Sequence, residues 1–149
     1  MFSAPSNGAG VTVLVVDDSP DMRRYLRLLL ELDRYHVETA GDGLEALQRL
    51  EEGCDPDVVL LDLQMPRLDG LRTLRRIRKQ RPDLKVIICS AEEDPRKLRL
   101  ATALGANAHL TKPVRHLYLS AAVERCLGGG PPAPQSASVI TLPPPCEDA

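Results

Sequence analysis

Apolar residues in this chain follow two rhythms. Runs without polar interruption occur at Val11 to Val16, Val58 to Leu61 and Val86 to Cys89, which is the pattern of strands covered by helices on both faces. Weaker strands fit His36 to Ala40 and Ala108 to Thr111. Between the runs, apolar residues recur at helical spacing. Ser19-Pro20 places an N-cap before a proline at the first helical position, and Met22, Leu26, Leu29 and Leu30 then share one face to about Asp33. Asp42 and Glu45 resemble a capping box ahead of Leu44, Leu47 and Leu50, with Gly53 as the stop. Leu71, Leu74 and Ile77 mark a third helix that Pro82 ends. Asp94-Pro95 opens a fourth, closed by Gly105, and Pro113 opens a fifth that runs to about Leu127. Five strand–helix units joined by right-handed crossovers predict an α/β fold, a doubly wound five-stranded parallel sheet with five helices.

Composition narrows the setting. With 43% hydrophobic and 27% charged residues among 149, the chain is long enough for one real core. That core is expected over residues 11–127. Residues 1–10 are small and polar, and the Gly/Pro-rich stretch 128–149 builds neither helix nor central strand, so both ends are expected to be disordered. A net charge of -2, no tryptophan and only four other aromatic residues disfavour an obligatory nucleic-acid or anionic membrane partner. No apolar run approaches the roughly 20 residues that span a bilayer, so a cytoplasmic location is expected. The cysteines Cys54, Cys89, Cys126 and Cys146 lack metal-ligand spacing and are expected to be reduced.

The chemistry lies at strand ends. Asp17 and Asp18 follow the first strand, Asp62 follows the third, and Lys112 follows the fifth. In a parallel sheet these ends meet at one edge, so the three carboxylates and one cation are expected to converge. Such a set suits a divalent metal and a phosphoryl group. Singly, each residue has a bland reading as a turn acid or a surface lysine; their joint placement does not.

With Met65-Pro66 and Asp69-Gly70 downstream of Asp62, Ser90 after the fourth strand and Lys112-Pro113 after the fifth, the chain resembles a receiver domain of the two-component response regulators, in the flavodoxin-like, CheY-like group, over about Val11 to Leu127. The resemblance implies that Asp62 is the phosphoacceptor and that Asp17, Asp18, Asp62 and the main-chain carbonyl of Gln64 hold Mg²⁺, with Mn²⁺ able to substitute. Ser90 and Lys112 are implied to bind the phosphoryl group. The implied donor is a histidine kinase or histidine phosphotransfer protein docking at the first helix, where charge reversal of Arg23 and Arg24 is expected to slow transfer. The output is implied to reach a protein target through the fourth helix, fifth strand and fifth helix, with a homodimer as a further option. Such a domain catalyses its own phosphorylation and dephosphorylation without a separate substrate. Gln64 and Glu92 flank the path of attacking water. One position departs from the family: His109 stands where an aromatic residue usually relays the switch, so coupling is expected to be altered and sensitive to pH.

Rival readings fit less well. An aspartyl-phosphate-using phosphatase of the haloacid dehalogenase type wants an acid two residues after its nucleophile, where this chain has Gln64. A dinucleotide enzyme wants a glycine-rich turn where Asp17-Asp18-Ser19-Pro20 stands. A receiver-like interaction module that is never phosphorylated remains as the third. After Leu127 no helix-turn-helix follows, so direct nucleic-acid output is not expected. The basic run Arg72, Arg75, Arg76, Arg78, Lys79 and Arg81 is read as a solvated helix face.

Overall fold

The computed structural model describes residues 10–65, 68–91 and 93–128. The expectations placed on Pro66 and Glu92, and nearly all of those placed on the two ends, lie outside the described residues. The elements in chain order are β1 (Thr12–Val16), α1 (Pro20–Leu32), β2 (His36–Ala40), α2 (Gly43–Glu51), β3 (Val58–Leu61), α3 (Gly70–Gln80), β4 (Lys85–Ser90), α4 (Pro95–Ala103), β5 (Ala108–Thr111) and α5 (His116–Gly128). The strands form one parallel sheet in the order β2-β1-β3-β4-β5. The order reverses between β1 and β3, and the carboxyl ends of those two strands therefore border a crevice.

Period-2 alternation explains why the strands show no polar positions. Leu14, Val16, Val59, Leu61, Val86 and Ile88 bury one face against α2, α3 and α4, while Val13, Val15, Val58, Leu60, Ile87 and Cys89 bury the other against α1 and α5. Each side chain removed from water contributes roughly 1.5–3 kcal/mol, so both faces hold the strand ends firmly. Burial pushes the Cys89 thiol up to about 12, in keeping with its place as a core thiol.

Helix starts follow the sequence. Ser19 Oγ accepts from Met22 N at 3.2 Å, Asp42 Oδ1 from Glu45 N at 2.8 Å, Asp69 Oδ1 from Arg72 N at 2.9 Å, and Asp94 Oδ1 from Arg96 N at 2.9 Å. Each cap is worth about 1 kcal/mol. The Glu45 carboxylate reaches back to Gly41 N at 2.7 Å, completing the reciprocal pair one residue earlier than a strict capping box.

One boundary differs from expectation. α5 begins at His116, not at Pro113. The chain first turns inward to bury Val114, which is 2% exposed and whose carbonyl accepts the Tyr25 hydroxyl at 2.6 Å. Only afterwards does Leu119 N close a helical turn onto Arg115 O. A tertiary contact has overridden a local start signal.

Candidate functional site

Asp17, Asp18 and Asp62 converge where the sheet order reverses. Each offers a carboxylate oxygen within 4.8 Å of the others. Asp17 and Asp62 are buried and Asp18 is exposed, so the cluster opens to solvent on one side. Lys112 Nζ spans it, at 2.7 Å from Asp17 Oδ2 and 3.3 Å from Asp62 Oδ2. The lysine thus sits nearer Asp17 than the acceptor candidate. Asp17 Oδ1 also accepts from Ser19 N at 2.9 Å, and Asp62 Oδ1 from Gln64 N at 3.1 Å.

The charges do not balance. Burial raises the pKa of Asp62, with the Asp17 charge adding to it; the Gln64 backbone hydrogen bond and Lys112 oppose this without cancelling it. For Lys112, burial pulls downward, but the hydrogen bond it donates to Asp17 and the charges of Asp62 and Asp17 outweigh it, and its pKa is raised. Three carboxylates share one ammonium, which leaves a deficit of positive charge beside a water-accessible acid. Oxygen-rich donor sets of this kind fit a hard divalent cation such as Mg²⁺.

Ser90 is the last residue of β4 and is fully buried; its carbonyl accepts Lys112 N at 3.1 Å. β4 and β5 therefore hold the serine and the lysine in one register. His109 pairs with Ile88 across the sheet, and Ile88 belongs to the layer covered by α2, α3 and α4. Its Nε2 is buried with no hydrogen-bond partner among the described residues, and burial lowers its pKa. His109 is thus half-buried and neutral, not a residue of a solvated edge.

Several contacts that support the site were invisible in the sequence pattern. A Cβ on Gly70 would lie 2.3 Å from Asp62 O and 2.5 Å from Leu63 Cα, so only glycine lets α3 start against the backbone of Asp62. Thr73, fully buried, donates through Oγ1 to Asp69 O at 2.8 Å and fills the space beside Gly43. Arg23 has a structural contact besides the docking role expected of it. Its guanidinium donates to Asp17 O at 2.7 Å, and Arg24 pairs with Asp21. Charge reversal at Arg23 would therefore disturb the turn that carries the two acids.

Comparison with known proteins agrees with this geometry. Residues 13–124 match the model of the response regulator receiver domain. The chain belongs to that family. Among curated relatives of this receiver, response regulator MprA of Mycobacterium sp. (strain KMS) is 40% identical over 103 residues, 69% of this chain and 44% of the relative. A transcriptional regulatory protein CpxR homolog of Haemophilus influenzae is 40% identical over 115 residues, 77% of this chain and 49% of the relative. The chain spans about half the length of these relatives. A receiver domain protein from Clostridium thermocellum superposes with TM-score 0.76 at 36% identity, covering 80% of this chain and 95% of that one. Vibrio cholerae chemotaxis protein CheY4 gives 0.73 at 31%, covering 78% and 98%. The receiver is thus a signalling component of the two-component type, with an acidic pocket of the kind that binds Mg²⁺ in its family. No helix among the described residues is long and apolar enough to cross a membrane.

Proposed function

We propose that this receiver accepts a phosphoryl group on Asp62 from the phosphohistidine of a histidine kinase or phosphotransfer protein, and passes the change to a protein partner. One observation carries the reading: three carboxylate oxygens within 4.8 Å of one another, two of them on a shared lysine. An Asp62 oxygen attacks phosphorus, the phosphorus–nitrogen bond breaks, and the imidazole leaves with its electron pair and takes up a proton. Mg²⁺, or Mn²⁺ in its place, held by Asp17, Asp18, Asp62 and the Gln64 carbonyl, supplies positive charge that offsets the approach of anions.

The chain's own groups do the rest. Gln64 N and Lys112 Nζ hold the Asp62 carboxylate in orientation. After transfer, roughly two negative charges arise on Asp62, and Lys112 moves from Asp17 toward them. Because Ser90 O is bonded to Lys112 N, the ends of β4 and β5 move as one, and the Ser90 hydroxyl is drawn to a phosphoryl oxygen. That displacement reaches α4, β5 and α5, the face offered to a downstream partner. At the donor side, α1 offers an incoming protein the exposed Arg24 and Arg27, paired with Asp21 and Glu31, together with the exposed Leu28 and Leu32.

The test is intact mass after incubation with acetyl phosphate and Mg²⁺. Wild type is expected to gain one phosphoryl group, lost again in hydroxylamine, and Asp62→Asn to gain none. An unlabelled wild type beside a labelled control receiver would sink the reading.

A further inference from the structure

The cations of α3 divide into two sets that the sequence does not separate. Arg78 turns inward, donating to Gly105 O at 2.6 Å, Asn107 Oδ1 at 3.0 Å and Leu84 O. Arg81, just past the helix, donates to Leu50 O and Cys54 O at 3.2 Å and pairs with Asp55 at 3.1 Å. These two staple the far end of the sheet. Arg72, Arg75, Arg76 and Lys79 do none of this. They are exposed, and among the described residues no carboxylate pairs with any of them. At i, i+3, i+4 and i+7 they form one stripe about 10 Å long.

The stripe opposes the stability of its own helix. Arg72/Arg75, Arg72/Arg76, Arg75/Lys79 and Arg76/Lys79 are all like-charge neighbours at three or four residues, each unfavourable. Arg72 lies in the first helical turn, where a cation opposes the helix dipole, which the Asp69 N-cap carboxylate offsets in part. On α1 and α2, by contrast, Arg24, Arg27 and Arg49 each have a carboxylate partner.

We propose that the outward face of α3 is a docking strip for an acidic segment of a partner protein, presenting carboxylates at one-turn spacing to Arg72, Arg75, Arg76 and Lys79. Guanidinium groups take carboxylates in two-point geometry. The positive field is confined to about two helical turns, and the adjoining α2 exposes Glu51 at its end, with Glu52 exposed as its C-cap. A duplex, with one charge per roughly 1.7 Å, would run past the strip onto that acidic flank. No large apolar side chain is exposed on α3, so the strip has nothing to insert into a lipid surface. None of the four cations takes part in the hydrogen bonds and ion pairs that hold the Asp62 carboxylate among the described residues, so the proposal stands apart from the phosphotransfer reading.

The probe is a labelled alanine-based helical peptide with glutamates at i, i+3, i+4 and i+7, read by fluorescence anisotropy against the full chain. Affinity is expected to fall roughly tenfold between about 50 and 300 mM salt. Arg75→Glu with Arg76→Glu should weaken binding at least about tenfold, while the Arg99→Glu, Arg125→Glu pair, an equal charge change elsewhere, stays within about twofold. Arg76→Glu alone should raise the Tm, since it turns repulsion into attraction, which separates lost binding from lost folding. The proposal is overturned if the α3 pair binds like wild type, if a peptide isomer with glutamates spread around its helix binds equally, or if a DNA duplex of equal charge binds tighter than the peptide.

Discussion

Lys112 is the residue on which the site's electrostatics depend. Its ammonium is the one cation within hydrogen-bond reach of both buried acids among the described residues, and it is itself only 17% exposed. Removing it strands two carboxylates with backbone donors alone. Breaking a buried pair costs about 3–5 kcal/mol; the solvent opening beside Asp18 reduces that, so Lys112→Ala is expected to destabilise the domain by about 2–3 kcal/mol at neutral pH. Chemical denaturation would measure it. The loss should shrink on acidification, because Asp62, its pKa raised by burial, no longer needs the cation once protonated; an equal loss at pH 4.5 and 7 would argue against this account. The positions of Asp17, Asp18, Asp62 and Lys112 were legible in the sequence because strand ends are set by apolar runs. Lys112 lying nearer Asp17 than Asp62 was not, since a difference of tenths of an ångström depends on packing.

At the scale of elements, α3 is seated by what Gly70 lacks. Its helix begins against the backbone of Asp62 and Leu63, atoms that cannot step aside as a flexible side chain would. Gly70→Ala is expected to cost about 2–3 kcal/mol and to displace Asp62, so that labelling by acetyl phosphate slows even where the variant is fully folded. The sequence showed Asp69-Gly70 as a family mark, and Asp69 as a cap follows from local rules; the close approach behind Gly70 joins β3 to α3 through space and has no local signature. β5 presents the opposite case. His109 was singled out from the sequence, but its surroundings were not legible there: its Nε2 is buried without a partner among the described residues. Removing an unpaired buried nitrogen recovers about 1 kcal/mol or more, so His109→Phe should stabilise the domain at neutral pH. The sign with pH follows from its lowered pKa. The unfolded chain takes up the proton first, so the wild type loses stability as pH falls through about 6.5, and the gain in His109→Phe should widen there. A constant gain from pH 8 to 5.5 would exclude titration of this ring.

Over the whole molecule, two layers of side chains on one sheet do little more than hold five strand ends in order, and that much was written in the apolar runs. What the runs did not carry is the late start of α5, where burial of Val114 outweighs the proline signal, and the anchoring of Arg23 on Asp17 O, where one helix grips the turn before it. The fold therefore assembles an acidic cluster whose repulsion the core must hold in place. Asp62 has a pKa raised in the folded state, so between its unfolded value near 3.9 and its folded value the native protein binds the extra proton. Its ionisation is a cost that grows as pH rises through the folded pKa. Neutralising it by Asp62→Asn should raise the Tm at pH 7, by a free energy on the order of 1 kcal/mol, and the advantage should shrink on acidification, as wild type takes up the proton too. Mg²⁺ bound at the cluster would relieve the same repulsion by a different route. At tenfold its dissociation constant it adds about 1.4 kcal/mol to wild type, a rise in Tm of several degrees, and it should add much less to Asp62→Asn, which lacks one of the charged ligands. Calorimetry of both proteins, with and without Mg²⁺, at pH 7 and pH 4 closes the cycle. If the metal and the mutation raised the Tm additively at pH 7, they would be acting on different charges, and the cluster would not be the seat of the strain.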